Sequence, residues 1–182
     1  MTTKQIISIL RNGGEGVMPT DTIYGLVGSA LSPKTVERIY RLRKRDLNKP
    51  MIILISRIAD LKLFGIKIDD KLKHQLFKFW PGKVSIILEC KSKKFVYLHR
   101  GKKSLAFRLP KLIWLRNLLK KTGPLVAPSA NIQGKPPART ITQAKKYFGK
   151  TIDFYLNRGK LLSRPSTLIK IIESEVRILR KG

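Results

Sequence analysis

The 182-residue sequence predicts a single α/β (α+β) domain built on a mixed sheet. Three observations carry that prediction. Short apolar runs such as 51–55 and 84–88 have the length and composition of buried strands. Between them lie segments with helix caps and one apolar side. No linker, internal repeat or low-complexity stretch divides the chain, so residues 1–182 read as one domain.

The elements follow in order. Thr2 or Thr3 caps a helix to about Asn12, with Ile6, Ile7, Ile9 and Leu10 on its apolar side and Gly13-Gly14 as its stop. Residues 16–18 and 22–29 read as strands on either side of Pro19. Ser32 and Pro33 open a helix whose inner face is Val36, Ile39 and Tyr40, and which runs into Arg41, Arg43, Lys44 and Arg45. After the strand at 51–55, Ser56 caps a helix over 58–64, closed by Gly65. A further helix spans 69–80, its acidic start matching the helix dipole, and Pro81-Gly82 break it. The strand at 84–88 comes next. Residues 95–99 and 105–109 flank Gly101 as a hairpin-like pair. A basic helix over 111–121, a short strand at 124–127, a Gly/Pro-rich loop over 132–139 and a helix from Thr140 to Phe148 follow. Strands at 152–156, 167–172 and 176–179 complete the chain.

Composition narrows the function classes. An apolar fraction of 42% argues against disorder. No apolar run approaches the ~20 residues of a membrane span, and the N-terminus lacks a signal-peptide pattern, so a cytoplasmic location is expected and no membrane partner. The single cysteine, Cys90, reads as a small core residue. Charge is the outlier: 39 Lys+Arg against 11 Asp+Glu give a formal +28, with no acidic residue between Glu89 and Asp153. Such a field attracts polyanions. A general bias towards lysine would give the same surface, but it would not select arginines at strand ends.

Several chemistries lack their residues. Neither a phosphate-binding loop of the form G-x-x-x-x-G-K-[ST] nor a G-x-G-x-x-G fingerprint is present. His74 and His99 are isolated, so no metal site is expected. The carboxylates are scattered, and Ser129 has no histidine motif near it. What remains is electrostatic. Arg43, Lys44, Arg45 and Lys49 lie within seven residues, at a helix end where cations are favoured even without a ligand. Arginine offers a planar fork and lysine a mobile point charge to phosphate. Ser129 and Asn131 follow a short strand, where a hydroxyl and an amide can meet phosphate or sugar oxygens or simply form a turn. Thr20, Thr22 and Tyr24 alternate as strand residues do. Arg108 sits between Phe107 and Leu109 in an apolar strand, where an unpaired charge is costly, so it requires an anionic partner or a cleft.

Together these segments resemble the YrdC/Sua5 family, the L-threonylcarbamoyladenylate synthases. The matching pieces are PTDTIYGL (19–26), RKRDLNKP (43–50), FWPGKVSIIL (79–88), LAFRLP (105–110), APSANIQGKPP (127–137), PSTLIK (165–170) and ILRKG (178–182), in the family's order and over nearly the whole chain. The resemblance implies a twisted YrdC-like open sandwich with a basic concave face. It implies that L-threonine, bicarbonate and ATP yield threonylcarbamoyl-AMP and pyrophosphate, a nucleotidyltransferase reaction that feeds N6-threonylcarbamoyladenosine formation in tRNA. Mg2+ would be held mainly by the ATP phosphates. A tRNA threonylcarbamoyltransferase complex would use the product, and tRNA or other RNA would meet the basic face.

By position, the resemblance assigns Arg43, Lys44, Arg45, Lys49, Ser104, Ser129, Pro137 and Arg180 to ATP. It assigns Thr22, Arg108, Ala127 and Ser166 to threonine, with Arg108 the partner of the carboxylate. Arg45, Lys49, Ser129 and Asn131 are the expected catalytic set, acting through orientation and charge neutralisation. The chain departs from the family pattern at Arg43 (usually lysine), Asp46 (usually proline), Leu54 (often a threonine-contacting histidine) and Arg158-Gly159-Lys160. It matches the short, single-domain type. The alternative expectation is a noncatalytic RNA-binding domain on the same fold.

Overall fold

The computed structural model describes residues 1–172 and 175–182. Nine strands form one mixed sheet: β1 (Glu15–Pro19), β2 (Tyr24–Ser29), β3 (Ile52–Leu54), β4 (Val84–Glu89), β5 (Ser104–Arg108), β6 (Leu125–Val126), β7 (Phe154–Tyr155), β8 (Thr167–Ile172) and β9 (Glu175–Arg180). Their spatial order is β7-β1-β2-β6-β3-β5-β4-β8-β9. The β1/β7, β3/β5 and β4/β8 pairs are parallel and the others antiparallel. The helices are α1 (Thr3–Arg11), α2 (Pro33–Leu42), α3 (Asp70–Phe77), α4 (Val96–His99), α5 (Ile113–Thr122) and α6 (Ile141–Phe148). None is long and apolar enough to cross a membrane, among the described residues.

Alternation of side chains gives the sheet two apolar faces. One, with Val17, Leu26, Ile53, Ile86, Phe107 and Val126, packs under α2, α3, α4 and α6 in the larger core. The other, with Met18, Val27, Leu54, Leu125 and Phe154, packs under α1 and α5. This second layer covers only the β7-β1-β2-β6-β3 half of the sheet. Beyond β3, the same face continues over β5, β4 and β8 as Ser104, Ala106 and Arg108, then Ile87, then Leu168, and these residues line a cleft. Packing on one half and an uncovered face on the other thus place the site.

Local chemistry explains most boundaries. Thr2 and Gln5 form a reciprocal capping box on α1, and Ser32 caps α2 with Pro33 in its first turn. The strand expected from 22 begins at Tyr24, because Thr20 bonds Ile23 O through both its N–H and its hydroxyl and makes a turn of residues 20–23. Residues 58–64 form a 3-10 helix rather than an α-helix. Its cap is Asp60, whose Oδ2 accepts from Ser56 N and Oγ and from Arg57 N.

The hairpin expected around Gly101 is overturned. Residues 93–95 are a 3-10 turn and 96–99 a single helical turn, and β5 pairs instead with β4. The alternation of Phe95-Val96-Tyr97-Leu98 was compatible with a strand, yet Phe95 and Leu98 are buried while Val96 is half exposed, the i, i+3 spacing of a helix. Arg100 and Gly101, at φ 49° and 80°, then turn the chain back into β5.

A buried acid lies at the far end of the sheet. Glu15 is fully buried, and its carboxylate lies 2.5 Å from Arg38 Nε. Burial raises its pKa from 4.5 to about 7; Arg38 opposes the rise and Asp153 adds to it. Below pH 4.5 both folded and unfolded chains hold the proton. Between 4.5 and about 7 only the folded chain does, so this group's contribution to stability falls as pH rises through that window. Glu15→Gln is expected to flatten that slope and to raise Tm relative to wild type above pH 7, measured by thermal melts across pH 4–8.5.

Candidate active site

The site is a cleft of about 600 Å3 on the uncovered half of the sheet, within the range of small-molecule pockets. It draws on residues from Thr20 to Arg180. Two segments more than a hundred residues apart, 19–26 and 127–131, meet there because both lie along β2. Leu26 N donates to Pro128 O, Ala130 N donates to Tyr24 O, and Gly25 bridges Ser129. Gly25 eases this approach: a Cβ there would lie 3.3 Å from Thr20 Cγ2 and 3.4 Å from Pro128 O, tight enough to push the Thr20 methyl by a few tenths of an ångström.

A third segment, 43–50, is fastened to the second. Arg43 is buried, with Nε donating to Asn131 O (3.0 Å) and Nη2 to both Asn131 Oδ1 (2.8 Å) and Ser129 Oγ (3.1 Å). Gln133 N donates to Arg43 O, and Asp46 N to Gln133 Oε1. Burial, then the neighbouring Arg45, lower the Arg43 pKa to about 10, with Tyr40 opposing, so it stays charged at neutral pH. Its Nη1 is buried without a hydrogen-bond partner among the described residues. Arg45 organises the next turn by donating to Lys49 O (2.9 Å) and Pro50 O (3.0 Å).

The opposite wall is Arg108, Thr22, Ser166 and Arg180. Arg108 is buried at the end of β5, with Nη2 3.0 Å from Asp21 Oδ1 and Nη1 donating to Thr22 Oγ1 (3.3 Å). Burial lowers its pKa, Asp21 counters that, and Arg180 adds to the lowering. Arg180, on β9, donates to Ser166 O (2.8 Å). Ser166, just before β8, is itself bonded to Ser85 on β4.

The hydrogen-bond networks fix the polarity of two hydroxyls. Asn131 Nδ2 is directed at the carbonyls of Ile132 and Lys135, so Asn131 Oδ1 is an acceptor and Ser129 must donate to it (2.7 Å). Thr20 donates to Ile23 O, so Thr22 must donate to Thr20 Oγ1 (3.0 Å). Ser129 and Thr22 each accept from an arginine as well. Both therefore face the cleft as acceptors, suited to N–H or O–H groups of a ligand, and anionic oxygens fall to the guanidinium groups.

Among the described residues, the lining contains six cations, Arg43, Arg45, Lys49, Lys102, Arg108 and Arg180, and no carboxylate. Its apolar surfaces are aliphatic or proline, among them Pro50, Ile52, Ile87, Leu105, Pro128 and Leu168. Among the described residues, no three His, Cys, Asp or Glu side chains are grouped to hold a metal.

Of the residues selected from sequence, Thr22, Arg43, Arg45, Lys49, Ser104, Arg108, Ala127, Ser129, Ser166 and Arg180 all line the cleft. Three do not. Lys44 is exposed at a left-handed position (φ 47°) outside the lining, and Pro137 is exposed in the loop beyond Asn131. Asn131 is buried and lies outside the lining; its oxygen and amide are committed to Arg43, Ser129 and two carbonyls, so it supports Ser129 instead of meeting a ligand. Leu54 is fully buried under α1 and α5, which removes that position from the site. At 157–159 the backbone matters: Arg158 N donates to Tyr24 OH, which donates to Gly159 O, and the Arg158 side chain is exposed. Asp21, Thr20 and Lys102 were missed. An acid between two threonines carries no periodic signal beyond a turn, and one lysine among many carries none.

Comparison with known proteins gives concordant matches. The Sua5/YciO/YrdC family model, described as "Telomere recombination", matches residues 8–182. A putative threonylcarbamoyl-AMP synthase of Methanocaldococcus jannaschii is 32% identical over 98% of this chain and 86% of its own length. A threonylcarbamoyl-AMP synthase of Marinobacter nauticus is 32% identical over 90% and 87%. The crystal structure of P. abyssi Sua5 complexed with L-threonine superposes with a TM-score of 0.88 at 28% identity, over 98% of this chain and 53% of that one. The chain thus spans about half of that Sua5 protein.

Proposed function

Since the chain belongs to the Sua5/YciO/YrdC family, we propose that it is an L-threonylcarbamoyl-AMP synthase, with ATP, L-threonine and bicarbonate meeting in the cleft. The observation that carries this reading is the convergence of six cations and two acceptor hydroxyls on one cleft whose lining, among the described residues, has no carboxylate. A ligand bearing several anionic oxygens together with N–H and O–H donors answers that pattern; a nucleoside triphosphate beside an amino acid is such a ligand.

The residues divide into two ends. Arg43, Arg45, Lys49 and Arg180 take the triphosphate, with Ser104 and Ser129 beside the nucleoside. Arg108 takes the threonine carboxylate, and Thr22 accepts from its amine. Ala127 and Ser166 complete the wall around the small side chain. Threonine's amine and bicarbonate give the carbamate with loss of water. A carbamate oxygen then attacks the α-phosphorus, the bond from that phosphorus to the bridging oxygen breaks, and pyrophosphate leaves. The carbamate is already a nucleophile, so the protein's share is alignment and neutralisation of charge that develops on the phosphates. Mg2+ belongs to this reading as a companion of the ATP phosphates; the donor-rich walls suit the phosphate oxygens and offer it no carboxylate cluster.

Contact with RNA phosphates is part of the same proposal. A second cleft of about 870 Å3 adjoins the first, shares Ile87, Lys102 and Ser104 with it, and adds Lys67, Lys71, Lys91, Lys103 and Lys170 against two carboxylates, Asp69 and Glu89, the latter paired with Lys91. That arrangement fits a path for the tRNA whose modification consumes the product, delivered through a threonylcarbamoyltransferase complex in the cytoplasm.

The test is synthesis by the purified protein. ATP, L-threonine, bicarbonate and Mg2+ together are expected to yield threonylcarbamoyl-AMP and pyrophosphate in equal amounts, and omission of any substrate to abolish both. RNA binding with no product under complete conditions would instead favour a noncatalytic RNA-binding domain.

A further inference from the structure

The arginines of the cleft are held in different ways. Arg43 is pinned by Ser129 and Asn131, Arg45 by two carbonyls of its own loop, and Arg180 by Ser166 O. Among the described residues, Arg108 alone of these four is ion-paired, to Asp21 at 3.0 Å. Both partners are buried, with 8% of Asp21 and 3% of Arg108 exposed. Asp21 does not line the cleft; its carboxylate lies behind the guanidinium. Among the described residues, neither of its oxygens has another hydrogen-bond partner of regular geometry, so the charge of Arg108 is what keeps this carboxylate buried. The other side of Arg108 faces the cleft and Thr22.

This gives the cleft two electrostatic ends. At 43–49 the arginines hydrogen-bond only neutral partners and the one nearby acid, Asp46, is half-exposed and 3.7 Å from Lys49, whereas at 108 one unit of positive charge is offset by one buried negative charge. A free carboxylate carries one negative charge, whereas inorganic phosphate, pyrophosphate and a triphosphate carry two or more at neutral pH. An uncompensated Arg108 would attract any of these polyvalent anions, which the reaction itself supplies in high local concentration. Specificity requires weakening the wrong ligand as well as binding the right one.

We propose that Asp21 is a specificity-determining positioning residue: it orients Arg108 towards Thr22 and, by offsetting its charge, keeps phosphates out of the end of the cleft that takes a monocarboxylate. The identification of that monocarboxylate as L-threonine rests on the proposed function. The exclusion of phosphate does not.

Asp21→Asn tests this directly. It keeps the side-chain shape and removes the charge. Calorimetric titration with inorganic phosphate is expected to show affinity increased about tenfold over wild type, the scale of one close charge interaction. In the synthase assay, pyrophosphate is expected to become competitive with L-threonine, and KM for threonine to rise about tenfold while KM for ATP changes less than about twofold. A residue needed only for folding would lower Tm and leave this selectivity unchanged. Unchanged phosphate affinity together with unchanged competition overturns the proposal. If Asp21→Asn does not fold, Asp21→Glu retains the charge but moves it; phosphate exclusion is then expected to persist while KM for threonine rises, and an unchanged KM overturns the positioning role. Should the wild-type protein make no threonylcarbamoyl-AMP and bind no threonine, the synthase reading fails, and the phosphate titration alone still decides the role of Asp21.

Discussion

Arg108→Ala is expected to reduce kcat/KM for L-threonine by about two to three orders of magnitude, the cost of removing one partner from a buried charge-assisted pair. It is also expected to destabilise the protein by about 3–5 kcal/mol, because Asp21 is left buried without a counter-charge. The two effects have separate origins and can be separated. Adding Asp21→Ala to Arg108→Ala removes the stranded carboxylate, so urea melts of the double variant are expected to recover much of the lost stability. Threonine turnover is expected to stay at the level of the single variant. Recovery of both, or of neither, would mean that Arg108 and Asp21 do not divide the work as the 3.0 Å pair and the cleft lining suggest.

The second large effect is expected at Arg43. Its fork holds three acceptors on the 129–131 loop, and Arg43→Ala removes all three bonds and leaves a void in their place. KM for ATP is expected to rise about a hundredfold, and stability to fall by about 3 kcal/mol through loss of buried bonds to a charged group. Arg43→Lys restores a positive charge but not the planar fork, since one ammonium cannot span Asn131 O, Asn131 Oδ1 and Ser129 Oγ in the same geometry. It should recover part of the ATP affinity while amide exchange at 129–135 remains faster than in wild type. Equal exchange in wild type and Arg43→Lys would show that charge alone is what the position needs.

Much of the architecture was legible in the residues because burial writes a strong pattern. Continuous aliphatic runs marked β3 and β4, and caps at Ser32 and Thr140 marked the starts of α2 and α6. An arginine inside an apolar strand marked Arg108 as needing a cleft or an anion to make that burial tolerable, and it has both. The failures share a cause: short segments whose character is decided by partners distant in sequence. Residues 95–99 alternate like a strand, yet the sheet offers β5 as the partner of β4, so they close a helical turn. The S-x-N spacing at 129–131 shows two polar groups but not that the amide is occupied by the carbonyls of 132 and 135. A lone Asp21 between threonines reveals nothing until β5 brings Arg108 beside it.

The position of Arg180 has a consequence for how the protein becomes active during synthesis. The cleft unites Thr20 and Thr22 near the start of the chain with Arg180 on β9, the edge strand paired antiparallel to β8. Contacts of such long sequence separation form late, after the entropy of closing nearly the whole chain has been met. While a nascent chain is still short of residue 180, Thr22 and the 43–50 loop can already have emerged, but the wall carrying Arg180 and the tie to Ser166 does not yet exist. Ligand affinity should therefore arise in one late step as β9 docks, and a nucleotide bound there would act as a clasp that holds β9 to the turn between β1 and β2.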